Sequence, residues 1–245
     1  MLPKDAVTNA LSIHDLRAFF PHASPQRILK YGGVLLDSIG RANRWGNSTF
    51  PAYCIATIAA ETSNFNPSAP EGLTLPEDGV RYPNTLTETR PFGAYEKVRN
   101  RLGNVSAPSR ISMSKIYEDY VDPKDGENYR GRGFVQLTGR ANYAKYGQLT
   151  GLDLLMQPEL AAIPEHSIQI LVVYVATNWH RIGSALERHD LVAARVAVNG
   201  GSNGLGRFVA TYRKVLARIS PSDSHKLERS LIEKFMPNER GAVES

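Results

Sequence analysis

The sequence YRGRGFVQLTGRANY, residues Tyr129 to Tyr143, is the most informative stretch of this 245-residue chain. It joins alternating arginine and glycine to a short apolar core at Phe134, Val135 and Leu137. Glycine admits backbone conformations and close contacts that a side chain forbids, and the apolar spacing is that of a short strand or a tight buried turn. The stretch is therefore predicted to form a Gly-Arg turn that leads into a core segment.

Three polar side chains lie within or just after this apolar core, at Gln136, Thr138 and Asn142. Polar groups that are buried must find hydrogen-bond partners. One interpretation is that they are satisfied inside an ordinary turn. The other is that they form the wall of a groove, where amides and a hydroxyl bind a ligand rich in hydroxyl and acetamide groups.

A second informative segment is the apolar run from Pro51 to about Asn64, which is predicted to be a helix. Proline suits the first turn, and Cys54 and Ile58 recur at helical spacing. Glu61 falls at the edge of the buried stripe, near the C-terminal end. Desolvation and the negative end of the helix dipole both disfavour a charge there, so Glu61 is a candidate proton donor. The alternative is a helix-end glutamate in a salt bridge.

The composition is that of a globular protein with one sizeable domain or two small ones, with 42% hydrophobic and 22% charged residues. The formal net charge of +5 favours anionic partners such as nucleic acid, a membrane surface or the anionic bacterial wall. A disulfide framework is ruled out within the chain by its one cysteine, Cys54, which we interpret as a small buried hydrophobe.

The first residues, MLPKDAVTNALSIHDL, lack the basic-then-apolar layout of a signal peptide. No apolar run approaches the ~20 residues of a membrane-spanning helix. We therefore expect a protein that is made in the cytoplasm and is not integral to a membrane. It would reach an external target through a pore or a secretion system supplied by another protein.

Hydrophobic spacing predicts helices along most of the chain. The predicted helices are Ser12–Phe20, Gln26–Arg41, Pro51–Asn64, Ile111–Tyr120, Ala141–Thr150, Pro164–Arg181, Ser184–Val198 and Gly204–Ile219, with a short helix or turn at Asp153–Ala162 and a small helix in the tail after Ser220. The segment Pro164–Arg181 is apolar nearly all round and is expected to be the core helix. Periodicity is weak from Asn66 to about Ser112, and so long a loop in a compact domain is usually functional.

The stretch at 129–143 is similar to the central signature of the family 19 glycoside hydrolases, which include chitinases and many phage endolysins. Blocks at Glu61 and at Asn199 agree with that family in order and rough spacing. The resemblance covers about residues 50–218. It implies a mainly α, lysozyme-like, helical two-lobed domain with a substrate groove. Residues 1–49 and 219–245 would add terminal helices to this single catalytic domain of residues 1–245.

Hydrolysis of a glycosidic bond needs two carboxyl groups. The block IAAETSNF resembles the helix that carries the acid in this family, which assigns the acid role to Glu61. Ser63 and Asn64 stand where the family usually has glycine. Family members invert the anomeric centre in a single displacement, so the base should lie ~6.5–9.5 Å from the acid.

The base is expected in the long loop. Many bacterial and phage members carry the second acid about ten residues after the first, which points to Glu71. The longer spacing of plant members would point to Glu77 or Glu88. Glu96 lies in a run that resembles a loop of the bacterial members, where it is interpreted as structural or substrate-contacting.

The resemblance also implies substrate-binding roles. Thr138 matches a hydroxyl that helps the base to hold the attacking water, and Gln136 and Asn142 match groups that bind the acetamide and hydroxyls of the sugar. Asn199 matches an asparagine that binds substrate near the cleavage point, and Arg207 matches an arginine that pairs with the acid.

Plant members have a further glutamate in this last block, where this chain has Asn203. The charge triad of the plant enzymes is therefore incomplete here. For Asn199 a plain helix C-cap, followed by two glycines, is a compatible structural role.

Other classes of function have less support. The sequence contains no P-loop, no HExxH and no paired CxxC, and its six histidines are scattered, so no metal or cofactor is expected. The RGRG run with nearby tyrosines is a weak nucleic-acid signal, and nucleic acid is not an expected partner. An intact Glu61 argues against a catalytically dead sugar-binding protein.

Together these features predict a monomeric glycosidase that cleaves β-1,4 bonds next to N-acetylated sugars. Bacterial peptidoglycan, as for an endolysin or muramidase, is the favoured polysaccharide because a basic protein suits an anionic wall. Chitin is the alternative substrate. A non-catalytic sugar-binding or nucleic-acid-binding protein is the alternative of another class. The protein would act on the wall, the periplasm or the exterior after its release.

Overall fold

A computed structural model describes residues 11–62, 65–67, 128–199 and 204–235, and this part of the chain is mainly α-helical. Its helices are α1 (Ile13–Phe19), α2 (Pro25–Ala42), α3 (Thr49–Glu61), α4 (Arg140–Thr150), α5 (Pro164–Thr177), α6 (Trp179–Glu187), α7 (Leu191–Asn199), α8 (Leu205–Ile219) and α9 (Pro221–Phe235), with a 3-10 helix at Pro158–Ala162. Within these ranges β-structure is limited to an isolated antiparallel bridge between Arg132 and Leu137.

Helix α3 lies at the centre of the core. Every residue from Phe50 to Ala60 is buried, and α8 packs along it, with the rings of Tyr53 and Phe208 5.2 Å apart. The expectation that residues 164–181 form the core helix is therefore wrong. Helix α5 leaves Val173 and Tyr174 partly exposed, whereas the small alanines of α3 let neighbouring helices approach it from all sides.

Two predicted helices are each broken into two. The chain leaves α5 at Asn178, whose side-chain amide donates to the Tyr174 carbonyl oxygen at 2.8 Å, and α6 follows directly. The predicted helix 184–198 breaks where His189 takes a left-handed φ of 54°. Asp190 then caps α7, because its carboxylate accepts from the Ala193 backbone N–H at 2.9 Å. Caps of this kind override hydrophobic periodicity.

The terminal helices are tied to the core by polar contacts. Ser12 and Asp15 form the predicted capping box at the start of α1. Asp15 also accepts from Arg218 Nε of α8 at 2.8 Å. At the other end of the fold, Asp223 of α9 accepts from the Ser48 hydroxyl at 2.7 Å. Helix α9 is longer than the small tail helix that the sequence predicted.

The signature stretch forms a tight buried turn, as predicted, rather than a strand. Backbone bonds between Arg132 and Leu137 close a turn over residues 133–136, at N···O distances of 3.2 and 2.8 Å. Gly133 adopts φ 75°, and the Phe134 N–H donates to Ser167 Oγ of α5 at 2.7 Å. The turn is thus anchored in the core.

The side chain of Arg132 fastens both ends of this turn. It is only 7% exposed and donates through Nη1 to the Asn128 carbonyl at 2.7 Å and to the Tyr143 hydroxyl at 3.0 Å. The Tyr143 hydroxyl in turn donates to the Arg130 carbonyl at 2.8 Å. The alternation of glycine and arginine therefore serves a structural purpose at Arg132.

Several further expectations can be compared with the described residues. Cys54 is fully buried and burial raises the pKa of its thiol, which confirms its interpretation as a small hydrophobe. None of the helices in the described ranges is long and apolar enough to cross a membrane. The predicted helix at 111–120 and almost all of the loop from Asn66 to Ser112 lie outside the described residues.

Gly133→Ala should destabilise the protein strongly. A Cβ at this position would lie 2.5 Å from the Ala161 carbonyl oxygen and 2.8 Å from Ser167 Oγ, in a backbone with φ 75°. Left-handed strain and overpacking together should lower the free energy of unfolding by about 2–5 kcal/mol. Urea denaturation followed by circular dichroism measures this change.

The matched control is Gly151→Ala, where φ is 71° but no atom lies within 4 Å of the new Cβ. This variant carries the backbone strain alone and should lose only about 1–2 kcal/mol. Equal losses at the two positions would contradict the close packing of the turn against residues 161 and 167.

Candidate active site

Glu61 is the last residue of α3, and its carboxyl group is held by a buried arginine. Arg195 of α7 donates through Nη2 to Glu61 Oε1 at 2.6 Å. The Arg195 side chain is 1% exposed and that of Glu61 is 12% exposed. The ion pair therefore lies at the edge of the core, with the carboxyl group on the side that reaches the surface. It is the helix-end salt bridge that the sequence also allowed as the alternative to a proton donor.

Sequence reasoning did not single out Arg195. The signal was present: Arg195 is the one charged residue in the segment LVAARVAVN that forms α7. A lone arginine in an apolar helix needs an anionic or hydrogen-bonding partner when it is buried. The sequence could have flagged the residue, but not named the partner 134 positions away.

Arg207 does not take the role that the resemblance implied. It was expected to pair with the acid, but its Nη2 donates to the carbonyl oxygen of Ala60 at 3.0 Å. The reason is that Arg207 lies in the first turn of α8, which abuts the end of α3, while Arg195 contacts the Glu61 carboxyl from α7. Arg207 thus satisfies one of the free carbonyls at the helix C-terminus.

A glycine makes this close approach of α8 to α3 possible. Gly204 adopts φ 71° at the start of α8, and a Cβ there would lie 2.8 Å from the Ala60 carbonyl oxygen. Both the backbone conformation and the contact favour glycine. The chain therefore fixes the residue before Glu61 from two sides, by Gly204 and by Arg207.

The three polar side chains of the signature turn are linked to one another. Gln136 Nε2 donates to the Gly133 carbonyl at 3.1 Å, Thr138 Oγ1 donates to the Gln136 carbonyl at 2.8 Å, and Asn142 Nδ2 donates to the Thr138 carbonyl at 2.8 Å. All three side chains are half-buried. Each of the two amides uses one N–H in these bonds, so Gln136 and Asn142 can still offer a ligand their second N–H and their oxygen.

The backbone of Gln136 is strained. Its φ is 49°, a left-handed conformation that costs a residue with a side chain roughly 1–2 kcal/mol. Such residues persist only where the surrounding structure fixes them, and they cluster at functional sites. The strain favours the interpretation of this turn as a groove wall over that of an ordinary turn.

The signature turn lies against the segment that follows Glu61. The rings of Phe65 and Phe134 are 5.0 Å apart, and the Gly133 N–H donates to the Pro67 carbonyl at 3.3 Å. Phe65 comes only four residues after Glu61 and itself has a left-handed φ of 55°. The fold thus brings the two sequence blocks that carry the resemblance into one neighbourhood.

Several predicted site residues cannot be compared with the structure. Glu71 and the alternative bases Glu77, Glu88 and Glu96 lie outside the described residues, as does Asn203. Asn199 is the last residue of α7, in agreement with a position at a helix end, and nothing is described of its side chain. Among the described residues no group of three or more His, Cys, Asp or Glu side chains is placed to bind a metal.

This arrangement provides one partly exposed carboxyl group, paired with Arg195, and a turn with polar side chains that packs against the segment after Glu61. The oxygens of Gln136 and Asn142 can accept from sugar hydroxyls or from an acetamide N–H.

Comparison with known proteins finds relatives of one family, although no family model matches the chain. A glycosyl hydrolase family 19 domain-containing protein of Haemophilus influenzae is 28% identical over 215 residues, which is 86% of this chain and 98% of that protein. Chitinase 8 of rice is 25% identical over 108 residues, which is 43% of this chain and 40% of that protein.

The described chain is mainly α-helical, as expected, and this agrees with the lysozyme-like helical fold of the glycosidase class that these relatives represent. More particularly, the chain is a relative of the family 19 glycoside hydrolases, and the resemblance seen in the signature stretch is confirmed. A protein named inactive chitinase-like protein 1, from Hevea brasiliensis, is 31% identical over 34% of this chain and 26% of its own length. Relatives of this family can thus lack activity, and catalysis depends on the residues that each chain has at its site.

The contributions of Arg195 and Glu61 to the free energy of unfolding should depend strongly on each other. Arg195→Met leaves a largely buried carboxylate without this guanidinium and should lower the free energy of unfolding by about 3–5 kcal/mol. In the Arg195→Met/Glu61→Gln double variant the loss should be smaller than the sum of the two single losses by about 0.5–3 kcal/mol. Urea denaturation of the four proteins gives this coupling energy.

The control cycle uses Asp37→Asn and Arg41→Met, which remove an exposed i,i+4 pair of α2 at 2.7 Å. Its coupling should not exceed about 0.5 kcal/mol. A coupling between Arg195 and Glu61 no larger than this value would show that the buried pair is not a linked unit.

Proposed function

We propose that this protein is an inverting glycosidase that cleaves β-1,4 linkages in polymers of N-acetylated amino sugars, with bacterial peptidoglycan as its substrate. The observation that carries the proposal is the partly exposed Glu61 carboxyl at the end of a buried helix, held at 2.6 Å by Arg195. Its relationship to family 19 supports the reaction class.

In this proposal Glu61 is the general acid. Its carboxyl group donates a proton to the glycosidic oxygen as the bond to the anomeric carbon breaks. The resulting carboxylate is stabilised by the guanidinium of Arg195, so the developing negative charge is balanced without any movement of the protein. The two fixed contacts to Ala60, from Arg207 and Gly204, keep the backbone before Glu61 in position.

The second half of the reaction is assigned to Glu71. As a carboxylate, it would remove a proton from a water molecule that attacks the anomeric carbon from the opposite face. A single displacement of this kind inverts the configuration and needs about 6.5–9.5 Å between the two carboxyl groups. The hydroxyl of Thr138 would help to hold the water, and Asn199 would bind the sugar near the scissile bond.

Peptidoglycan is favoured over chitin by charge. The chain carries a formal net charge of +5, and a basic protein associates more readily with an anionic wall than with an uncharged polymer. On this proposal the protein acts as a monomer at the wall, after release from the cytoplasm. Chitin remains the second candidate, because Chitinase 8 of rice is among the relatives.

Release of reducing sugar from purified peptidoglycan and from colloidal chitin tests the proposal. The wild-type protein should act on peptidoglycan, and Glu61→Gln should lower kcat by about 10²–10⁴-fold, the usual contribution of a general acid. Glu71→Gln should cause a loss of similar size. The matched control is Glu159→Gln, which removes an exposed carboxylate of the 3-10 helix and should leave the rate unchanged.

Each other outcome selects an alternative. Activity on chitin alone would move the proposal to a chitinase with the same acid. Full activity of Glu71→Gln would move the base to another carboxylate of the loop, at 77, 88 or 96. No product from either polymer would favour the non-catalytic sugar-binding protein. Retention of DNA that weakens with salt and is equal in Glu61→Gln would favour a nucleic-acid-binding protein.

A further inference from the structure

A second pocket lies at the opposite end of α3 from Glu61. Helix α3 has 13 residues, so its ends are about 18 Å apart at 1.5 Å per residue. Beyond its N-terminal end is a cavity of about 290 Å³ between α3, α6, α8 and α9. Its lining includes Ser48, Trp179, Gly183, Tyr212, Asp223 and Lys226. None of these residues takes part in the proposed reaction.

The indole N–H of Trp179 opens into this cavity. The residue is 7% exposed, and within the described part of the chain nothing accepts a hydrogen bond from Nε1. A Cβ on Gly183 would lie 3.2 Å from this nitrogen. Since residue 183 is a glycine that also lines the cavity, the donor stays uncovered. The nitrogen itself is accessible to solvent, so its N–H is available to a ligand in the cavity.

The hydroxyl of Tyr212 is a second such donor. Tyr212 is 2% exposed, and no described residue forms a hydrogen bond with its hydroxyl oxygen. Burial, and then the carboxylate of Asp223, raise its pKa. The phenol therefore keeps its proton throughout the physiological range and can donate to a ligand. Two nearly buried side chains thus present unused donors to one small space.

The rim of the cavity is charged, with Glu187, His189, Asp223 and Lys226 among its residues. Asp223 accepts from Ser48 Oγ at 2.7 Å and from Ser220 Oγ at 2.9 Å, and Lys226 Nζ lies 3.3 Å from its other oxygen. Although burial opposes it, these bonds lower the pKa of Asp223, so the carboxylate is ionised and already compensated by the lysine. Because Glu187 adds a second carboxylate, a neutral ligand with both acceptors and donors suits this rim better than an anion does.

The floor of the cavity is apolar, formed by Leu186, Leu216 and Leu227, which are all buried. Its volume is at the lower end of the ~300–1,000 Å³ of small-molecule sites. The space therefore suits one compact molecule with a carbonyl oxygen for the two donors, a small apolar group for the floor and hydroxyls for the rim. An acetamido sugar has all three groups.

We propose that this pocket binds a single N-acetylated hexosamine residue, whose acetamide oxygen accepts from Trp179 Nε1 and Tyr212 Oη. The choice of sugar rests on the proposed function, whereas the requirement for a neutral acceptor ligand rests on the pocket alone. A second contact to the same polymer raises the effective concentration of substrate at the catalytic groove. Within the described residues, no other segment has a proposed role in binding the wall.

The two tryptophans of the chain, Trp45 and Trp179, make a direct test possible. In a ¹⁵N-labelled sample each gives one indole signal, and Trp45→Phe leaves that of Trp179 alone. Titration with millimolar N-acetylglucosamine should shift the Trp179 signal to saturation. Glucose, which lacks the acetamide, should bind at least about five-fold more weakly, as expected for the loss of one or more neutral hydrogen bonds.

Two variants locate the binding. Gly183→Ala places a methyl group over Nε1 within an α-helix, where alanine is favoured, and Tyr212→Phe removes only the hydroxyl. Each should weaken sugar binding by about five-fold or more. The matched control is Gly33→Ala in α2, where the new Cβ meets nothing within 4 Å, and it should bind as the wild type does. The dispersion of the amide spectrum reports whether each variant is folded.

Failure of this proposal can be told apart from failure of the proposed function. Glu61→Gln should keep the Trp179 shift, because the pocket is at the other end of α3. An unshifted Trp179 signal, or binding that Gly183→Ala and Tyr212→Phe leave unchanged, would overturn the sugar pocket whatever the activity of the protein. Loss of the shift in Glu61→Gln would also overturn it, since the signal would then report the catalytic groove. An inactive wild-type protein that still binds sugar in this pocket would overturn only the proposed glycosidase activity.

Discussion

The ion pair between Arg195 and Glu61 is the contact on which the site depends. Each of the two helices that form it has a single charged residue, Glu61 in α3 and Arg195 in α7. A buried arginine is tolerated only where its charge is compensated. The pair therefore fixes the end of the central helix against α7, and it does so at the point where the carboxyl group reaches the surface. The same two side chains therefore stabilise the fold and form part of the candidate site.

The rest of the fold keeps this point fixed from several sides. The aromatic contacts along α3, such as that of Tyr53 with Phe208, set the position of the helix. Gly204 allows the start of α8 to touch Ala60. The signature turn, fastened internally by Arg132 and packed through Phe134 on Phe65, forms the adjoining surface. A carboxyl group on such a rigid frame is oriented before any ligand arrives, which is what transition-state stabilisation by fixed groups requires.

Local signals in the sequence predicted much of this fold. The capping box at Ser12 and Asp15, the apolar spacing that put Glu61 near the end of a helix, and the glycines of the signature turn all depend on neighbours within a few positions. They were found correctly. One error arose where long-range contacts decide, and another where a local cap outweighs hydrophobic periodicity. Helix α3, not the more continuous apolar run at 164–181, is the central helix, because its small side chains admit neighbours on every side. Left-handed His189 and the Asp190 cap break a segment whose periodicity is unbroken.

The same division holds for the site. Local spacing predicted the position of Glu61 at a helix end and of Gln136, Thr138 and Asn142 in a turn, whereas Arg195 contacts Glu61 across 134 positions and could not be paired with it by spacing. Arg207 was assigned the wrong partner for the same reason.

The central proposal is that Glu61 is the acid of an inverting glycosidase. Proton NMR of the anomeric signals during cleavage of a soluble N-acetylated amino-sugar oligomer tests it most directly. The α-anomer should form first from the β-linked substrate, and Glu61→Gln should form no product at a comparable rate. Initial formation of the β-anomer, or an unchanged rate in Glu61→Gln, would contradict the claim.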